Sequence, residues 1–188
     1  MKPAIVIVDM LEDNYGKGKD PEKEEVKIIG PVRECLKKCR SFSIPVIFAC
    51  DSYIEGDFLF RGRMKPHAMR GTPGAAVLAD LEPEPSDIIL PKRRFSAFFK
   101  TDLDQTLRTL GVDTVAVGGI NTHVCVLATA LDALAHDFYT IILEDLSAAY
   151  KREIHDHCLD GYRKMLVYPL LKVARSQEFL DSFSHGPA

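Results

Sequence analysis

The chain has 188 residues, of which 46% are hydrophobic and 27% are charged, and its formal net charge is −3. This balance is typical of one globular domain over residues 1–188, and without a long basic run it argues against nucleic acid or an anionic membrane as partner. The apolar stretches are too short to span a bilayer or to serve as a signal peptide, so we expect a cytoplasmic protein.

Short apolar runs predict six β-strands, with helices in most of the gaps. The runs are continuous rather than alternating, as at 5–8 and 140–143, which indicates strands covered on both faces of a parallel sheet. Apolar residues at helical spacing predict the helices, the first of which has Pro21 in its opening turn. In chain order we predict strands at 4–8, 45–50, 87–90, 113–118, 138–143 and 165–168, and helices at 20–42, 102–110, 123–136, 151–162 and 175–183.

The alternation of strand and helix predicts a doubly wound α/β sheet with right-handed crossovers. The stretch from 51 to 86 interrupts the alternation and is rich in Gly, Pro, Arg and Phe, with a short helix expected near 74–80. Its aromatic residues Tyr53, Phe58 and Phe60 favour a pocket wall over a disordered loop. Ligands of such sheets bind at the carboxyl ends of the strands, so we look for the site there.

Three reactive residues follow the carboxyl ends of predicted strands. Asp9 follows the first strand, Lys92 the third, and Cys125 lies past the fourth, near the start of a helix with Thr122 as its N-cap. The positive end of that helix favours the thiolate, so we expect a lowered thiol pKa. Each residue also has a purely structural reading, as a turn cap, a solvated lysine or a packed cysteine. Their shared position is the argument for a site, and it requires the three strands to be neighbours.

Together these residues would form a cysteine hydrolase. Asp9 would take the thiol proton as general base, and the Lys92 ammonium would stabilise the thiolate. Cys125 would attack a carbonyl carbon and form a thioester, while backbone N–H groups of the 119–125 turn receive the oxyanion.

Three segments carry a family resemblance. They are 6–10, Lys92 with 95–103, and 119–126 with 129–133. In this order they resemble the isochorismatase-like cysteine hydrolases, which include nicotinamidases and N-carbamoylsarcosine amidases. The resemblance runs from residue 4 to about residue 147. It implies a six-stranded parallel sheet of order 3-2-1-4-5-6 with helices on both faces.

For the site, the resemblance implies a catalytic triad of Asp9, Lys92 and Cys125. It further implies a cis peptide bond between Ile120 and Asn121, which would turn the backbone N–H groups of Asn121 and Cys125 into an oxyanion hole. The family tends toward dimers and tetramers, so the resemblance also implies a homo-oligomer.

Two departures from the family concern the substrate and a metal. Where relatives commonly have Gln and Phe after the first Asp-Met, this chain has Leu11 and Asn14. Asp51 and His67 match the first and third of three metal ligands in nicotinamidases, but Tyr53 occupies the middle position. Two protein ligands make a weak site, so we predict no cofactor and no metal. A divalent metal at Asp51 and His67 is the alternative, since neutral His and carboxylate remain usable ligands.

The expected pocket is apolar with few polar groups, which suits a small, flat, uncharged amide as substrate. Its predicted lining is Asn14, Tyr53, Phe58, Phe60, His67, Phe98 and Ile120. We therefore predict a cysteine-dependent amidohydrolase that cleaves the C–N bond of a small amide through a thioester. Two alternatives stay open: an isochorismatase-type vinyl-ether hydrolase with Asp9 as proton donor, and a non-catalytic binding protein on the same scaffold.

Overall fold

The computed structural model describes residues 1–16 and 19–184 and contains one parallel sheet. Its six strands lie in the order β3-β2-β1-β4-β5-β6. This confirms the predicted doubly wound α/β sheet of order 3-2-1-4-5-6. The strands are β1 (Pro3–Val8), β2 (Val46–Asp51), β3 (Ile88–Lys92), β4 (Thr114–Ile120), β5 (Tyr139–Ala148) and β6 (Leu171–Ala174).

Helices cover both faces of the sheet, as predicted. The α-helices are α1 (Glu12–Tyr15), α2 (Glu24–Lys27), α3 (Ile29–Ser41), α4 (Leu103–Thr109), α5 (Leu127–Ala135), α6 (Arg152–Tyr162) and α7 (Ser176–Ser184). Short 3₁₀ helices occur at Phe58–Arg61, Pro73–Ala75 and Ala79–Leu81, and a π-helical turn at Thr122–Val126 precedes α5. None of the helices in the described ranges combines the length and the apolar character needed to cross a membrane.

The central strands carry two hydrophobic cores. All six residues of β1 are buried, and they alternate between the faces: Ile5 and Ile7 pack into one core, Val6 and Val8 into the other. Successive side chains of a strand point to opposite faces, so a strand between two helical layers must be apolar throughout. The first core lies against α3 and α7, and the second against α4, α5 and α6.

Two predicted boundaries were wrong. The last strand is Leu171–Ala174 and not 165–168: Leu166 is fully exposed and the chain turns there before pairing with β5. The predicted helix at 20–42 is divided into α2 and α3. Pro31 has no N–H to donate to the carbonyl of Lys27, so an α-helix cannot run unbroken through this segment.

Candidate active site

The carboxyl ends of β1, β2, β3 and β4 lie side by side, because these strands are neighbours in the sheet. Asp9 follows β1 directly, and its backbone N–H donates to the carbonyl of Ala49 on β2. At the end of β4, Gly119 has a φ of +115°, and a Cβ there would lie 2.1 Å from the carbonyl oxygen of Val8. Residues 119–125, which carry the proposed nucleophile Cys125, form the nucleophile loop. The glycine lets this loop approach the end of β1 without an intervening side chain.

Lys92 lies at the centre of the site, with a fully buried side chain. Its Nζ donates to Asp9 Oδ2 at 2.8 Å, to Asp51 Oδ1 at 2.6 Å and to the carbonyl of Arg94 at 3.1 Å. An ammonium has three N–H donors, so these acceptors satisfy it completely. Burial would lower the pKa of Lys92, but the charges of Asp9, Cys125 and Asp51 outweigh burial and raise it, so Lys92 remains a cation.

Asp51 is a second carboxylate on Lys92 that the sequence had suggested only as a metal ligand. Its backbone N–H donates to Asp9 Oδ1 at 2.9 Å, and its Oδ2 accepts a hydrogen bond from the Tyr53 hydroxyl at 2.9 Å. Asp51 thereby contacts both Lys92 and Asp9. One signal was available in the sequence: Asp51 ends the strand between those of Asp9 and Lys92 in the predicted order.

Cys125 lies in the π-helical turn, buried beside Asp9. Its Sγ and one carboxylate oxygen each of Asp9 and Asp51 lie within 4.8 Å of one another. The structure therefore brings together all three residues of the predicted triad. Behind the turn, Thr122 Oγ1 lies 2.8 Å from Nδ1 of the buried His155, a hydrogen bond that ties the turn to α6.

The protonation of the cluster differs from our expectation. Burial, followed by the neighbouring Asp9 carboxylate, raises the pKa of the Cys125 thiol well above its ordinary value, although Lys92 opposes this. The predicted lowering was wrong, because a helix terminus is worth at most about 2 kcal/mol while burial of a charge costs more. Burial also raises the pKa of Asp9 to about 6 against the opposing effect of Lys92. At neutral pH the proton therefore resides on Cys125, and the Asp9 carboxylate is ionised.

A cavity of about 360 Å³ opens onto the cluster. Four of the predicted pocket residues line it: Asn14, Tyr53, His67 and Ile120. The Asn14 side-chain amide donates to the backbone carbonyl of Asp9 at 2.6 Å, which fixes that side chain beside the triad. Phe60 is half-buried in a layer behind the cavity, its ring centroid 5.1 Å from that of Tyr53. Contact of these residues with substrate stays a prediction.

Two predicted pocket residues lie elsewhere. Phe58 is 66% exposed, with the guanidinium of Arg61 5.9 Å from its ring centroid. Phe98 stacks on His136 at 5.0 Å, packs in the second hydrophobic core and does not line the cavity. The structure adds cavity residues that sequence reasoning missed, namely Glu25, Met64, Phe95 and Val124.

The Ile120–Asn121 peptide bond is cis, as the family resemblance implied. The carbonyl of Asn121 accepts hydrogen bonds from the backbone N–H groups of Val124 at 3.0 Å and Val126 at 3.3 Å. Asn121 and Cys125 both line the cavity. Their backbone N–H groups as an oxyanion hole remain a prediction.

Asp51 and His67, the ligands of the alternative metal site, do not fit a divalent ion. Both carboxylate oxygens of Asp51 already accept hydrogen bonds, one from Lys92 and one from Tyr53. His67 has its Nδ1 2.9 Å from the carbonyl of Lys65, which leaves Nε2 as its ligand atom. Asp9, Asp51 and Cys125 do converge, but both carboxylates already accept hydrogen bonds from the Lys92 ammonium, whose positive charge would repel a metal ion. One free imidazole nitrogen is a poor ligand set.

The sheet and its edge define a doubly wound α/β protein with a buried cluster of aspartate, lysine and cysteine side chains at the carboxyl ends of its strands. A family profile described as the Isochorismatase domain matches residues 3–172, and the chain belongs to this family. The ureidoacrylate amidohydrolase RutB of Rhizobium rhizogenes strain K84 is 40% identical, over 76% of this chain and 68% of the relative.

Solved structures show the same similarity. The N-carbamoylsarcosine amidase of Thermoplasma acidophilum superimposes with a TM-score of 0.79 and 35% identity, covering 94% of this chain and 97% of that one. The pyrazinamidase of Pyrococcus horikoshii, solved in complex with zinc, has a TM-score of 0.80 and 31% identity, covering 93% and 99%.

Proposed function

We propose that the chain is a cysteine-dependent amidohydrolase that cleaves the C–N bond of a small amide through a thioester. The observation that carries the proposal is the convergence of Cys125 Sγ and an Asp9 carboxylate oxygen, which lie within 4.8 Å of each other beside the Lys92 ammonium, at the base of a cavity. The names of the relatives, an amidohydrolase and an amidase, support C–N cleavage.

Acylation begins when an amide carbonyl carbon enters the cavity above the Cys125 Sγ. Asp9 takes the thiol proton as the S–C bond forms, so the thiolate exists only as it attacks. Backbone N–H groups of Asn121 and Cys125 receive the oxyanion that develops on the carbonyl oxygen. Protonated Asp9 then gives its proton to the leaving nitrogen, the C–N bond breaks, and ammonia or an amine departs from the thioester.

Deacylation uses the same carboxylate. Asp9 takes a proton from the attacking water as the new C–O bond forms, and the thioester C–S bond then breaks. The proton returns to Cys125, and a carboxylic acid leaves. Lys92 keeps its charge throughout, balancing the carboxylates while the proton moves between sulfur, Asp9 and the substrate. An Asp9 pKa of about 6 suits both roles, since it lies near neutral pH.

The test is a screen of small amides for release of ammonia with the wild type, Cys125→Ala and Cys158→Ala. We expect Cys125→Ala to lose roughly a thousandfold or more in turnover, because no nucleophile remains. Cys158 is a half-buried thiol on α6 outside the cavity, and its removal should leave turnover unchanged. Full amide turnover by Cys125→Ala would rule out the covalent step.

Isochorismate belongs in the same screen because the vinyl-ether alternative uses Asp9 without the thiol. Cleavage of isochorismate by both the wild type and Cys125→Ala would favour that alternative. The non-catalytic alternative predicts ligand binding with no turnover of either substrate. The approach of Cys125 Sγ to within 4.8 Å of an Asp9 carboxylate oxygen favours the amidohydrolase, since it places sulfur beside the proposed base.

A further inference from the structure

One charged group of the cavity has no part in the proposed chemistry. Glu25 lies on α2, lines the cavity with Cys125, and is half-buried. Within residues 1–16 and 19–184 it makes no hydrogen bond and no ion pair. Its neighbour Glu24, in contrast, accepts a hydrogen bond from Lys27 at 2.9 Å and lines a different cavity.

The charge of Glu25 also affects the buried side chain of Tyr15. Tyr15 is buried, and its hydroxyl has no hydrogen-bond partner among the described residues. Burial, followed by the charge of Glu25, raises the pKa of that hydroxyl. The Glu25 carboxylate therefore acts on a region of low polarity, where a charge has a stronger effect than on an open surface.

The charges around the cavity are unbalanced. Asp9, Asp51 and Glu25 are acidic, and Lys92 lies beneath them, so with Cys125 protonated these groups carry two negative charges in excess. Lys92 is already saturated by its three acceptors. None of the described residues that line the cavity is a lysine or arginine that could receive a substrate carboxylate.

Three arginines close in sequence to residues of the site make their hydrogen bonds away from the catalytic cavity. Arg93 and Arg94 both donate to the buried carboxylate of Asp57, and Arg70 donates to Ser52. These three arginines line a separate cavity. They do not compensate the acidic character of the catalytic cavity.

We propose that Glu25 is a specificity residue that selects amides carrying an ammonium or several N–H donors on the portion away from the scissile carbonyl. A free, half-buried carboxylate gains a charge-assisted hydrogen bond from such a group, while an anionic substrate is repelled. This inference rests on the proposed function and extends it by naming the charge of the substrate. It replaces the uncharged amide substrate expected from the sequence with an amide that is cationic or rich in N–H donors.

The first experiment probes the cavity without turnover, by alkylation of Cys125. The probes are 2-bromoethylamine, iodoacetamide and iodoacetate, which are cationic, neutral and anionic. Rates at Cys125, followed by peptide mass spectrometry, are divided by the rates with 2-mercaptoethanol to remove intrinsic reactivity. We expect the normalised rate to fall from cation to anion in the wild type.

Glu25→Gln removes the charge and keeps the shape of the side chain. We expect it to reduce the ratio of cation to anion rates roughly tenfold, and added salt to reduce the wild-type ratio in the same direction. Glu24→Gln is the matched control, with the same change one residue away on α2 but outside the catalytic cavity, and should keep the wild-type ratio. Equal ratios in Glu25→Gln and the wild type would overturn the inference.

Hydrolysis of a matched amide series separates this inference from the proposed function. The series is 3-aminopropanamide, butanamide and succinamate, and we expect kcat/KM to fall in that order. Hydrolysis that favours succinamate, unchanged in Glu25→Gln, would refute the role of Glu25 and leave the amidohydrolase in place. Absence of any amide hydrolysis would count against the proposed function, and the alkylation ratios would still decide the role of Glu25.

Discussion

Asp51 and Lys92 are paired residues at the ends of β2 and β3, and their side chains form a hydrogen bond of 2.6 Å between Oδ1 and Nζ. Parallel pairing places both Cα atoms at the same level of the sheet, so a carboxylate and an ammonium meet at its carboxyl edge. Asp51 also donates its backbone N–H to Asp9. The proposed triad is therefore supported by a fourth residue, which supplies a second carboxylate.

Asp51→Asn should separate positioning from catalysis. The Asp51 charge is one of the causes that raise the pKa of Asp9, so its removal should lower that pKa and move the acid limb of the kcat/KM profile to lower pH. We also expect kcat to fall about 10- to 100-fold, because Lys92 loses one of its two carboxylates. Tyr53→Phe removes the other hydrogen bond of Asp51 but leaves its charge, so the acid limb should stay close to that of the wild type. An unmoved limb in Asp51→Asn would exclude the electrostatic role.

The proposed mechanism requires an ionised Asp9, which sets the dependence of activity on pH. The pKa of Asp9 is raised to about 6, so the carboxylate that accepts the thiol proton is lost as the pH falls through that value. We expect kcat/KM to rise with pH and to level off above an apparent pKa near 6, measured in buffers of constant ionic strength. A limb near the ordinary carboxylate value of about 4 would show that Asp9 is not the titrating base.

The positions of the proposed triad residues were visible in the sequence. Continuous apolar runs indicate buried parallel strands, and Asp9, Lys92 and Cys125 each lie past the end of one, but the order that makes those strands neighbours was implied only by the family resemblance. The register between β2 and β3 is not encoded locally, so the link between Asp51 and Lys92 appeared only in the structure. The same limit applies to Glu25, whose contact with the cavity depends on how α2 packs.

Side-chain direction in loops and the balance of electrostatic effects were harder to predict. Phe58 and Phe95 are both aromatic residues in irregular segments, and only the folded chain shows that Phe95 lines the cavity while Phe58 faces solvent. The pKa of Cys125 depends on burial and on a carboxylate distant in sequence, which together outweigh the helix terminus visible in the sequence. Local sequence patterns therefore predicted the helices and strands and the carboxyl edge of the sheet as the location of the site. How deeply each side chain is buried became known only from the tertiary structure.

The assignment of the cavity wall can be tested with two phenylalanines. Phe95→Ala should raise KM for the best amide about 10-fold or more, because it removes an aromatic surface from the cavity. Phe58→Ala should leave KM within about twofold of the wild type, since that ring is exposed and outside the lining. Steady-state kinetics of both variants provide the measurement. A larger effect from Phe58→Ala than from Phe95→Ala would place the substrate elsewhere.

The approach of the nucleophile loop to β1 requires a glycine at position 119. Gly119→Ala would put a Cβ 2.1 Å from the Val8 carbonyl oxygen in a backbone conformation of positive φ, so the strand end must move. We expect a loss of about 3 kcal/mol or more in unfolding free energy, together with loss of amide turnover.

Gly161→Ala is the matched control for this substitution. Gly161 lies in α6 with no heavy atom within 4 Å of the added Cβ, so the variant should be stabilised by up to about 1 kcal/mol through helix propensity. Urea denaturation monitored by circular dichroism gives both free energies. Wild-type stability and full turnover in Gly119→Ala would contradict this prediction. They would show that Cys125 is held near Asp9 without the close contact between the nucleophile loop and β1. A stable but inactive Gly119→Ala would instead show that the contact serves to position the thiol more than to stabilise the sheet.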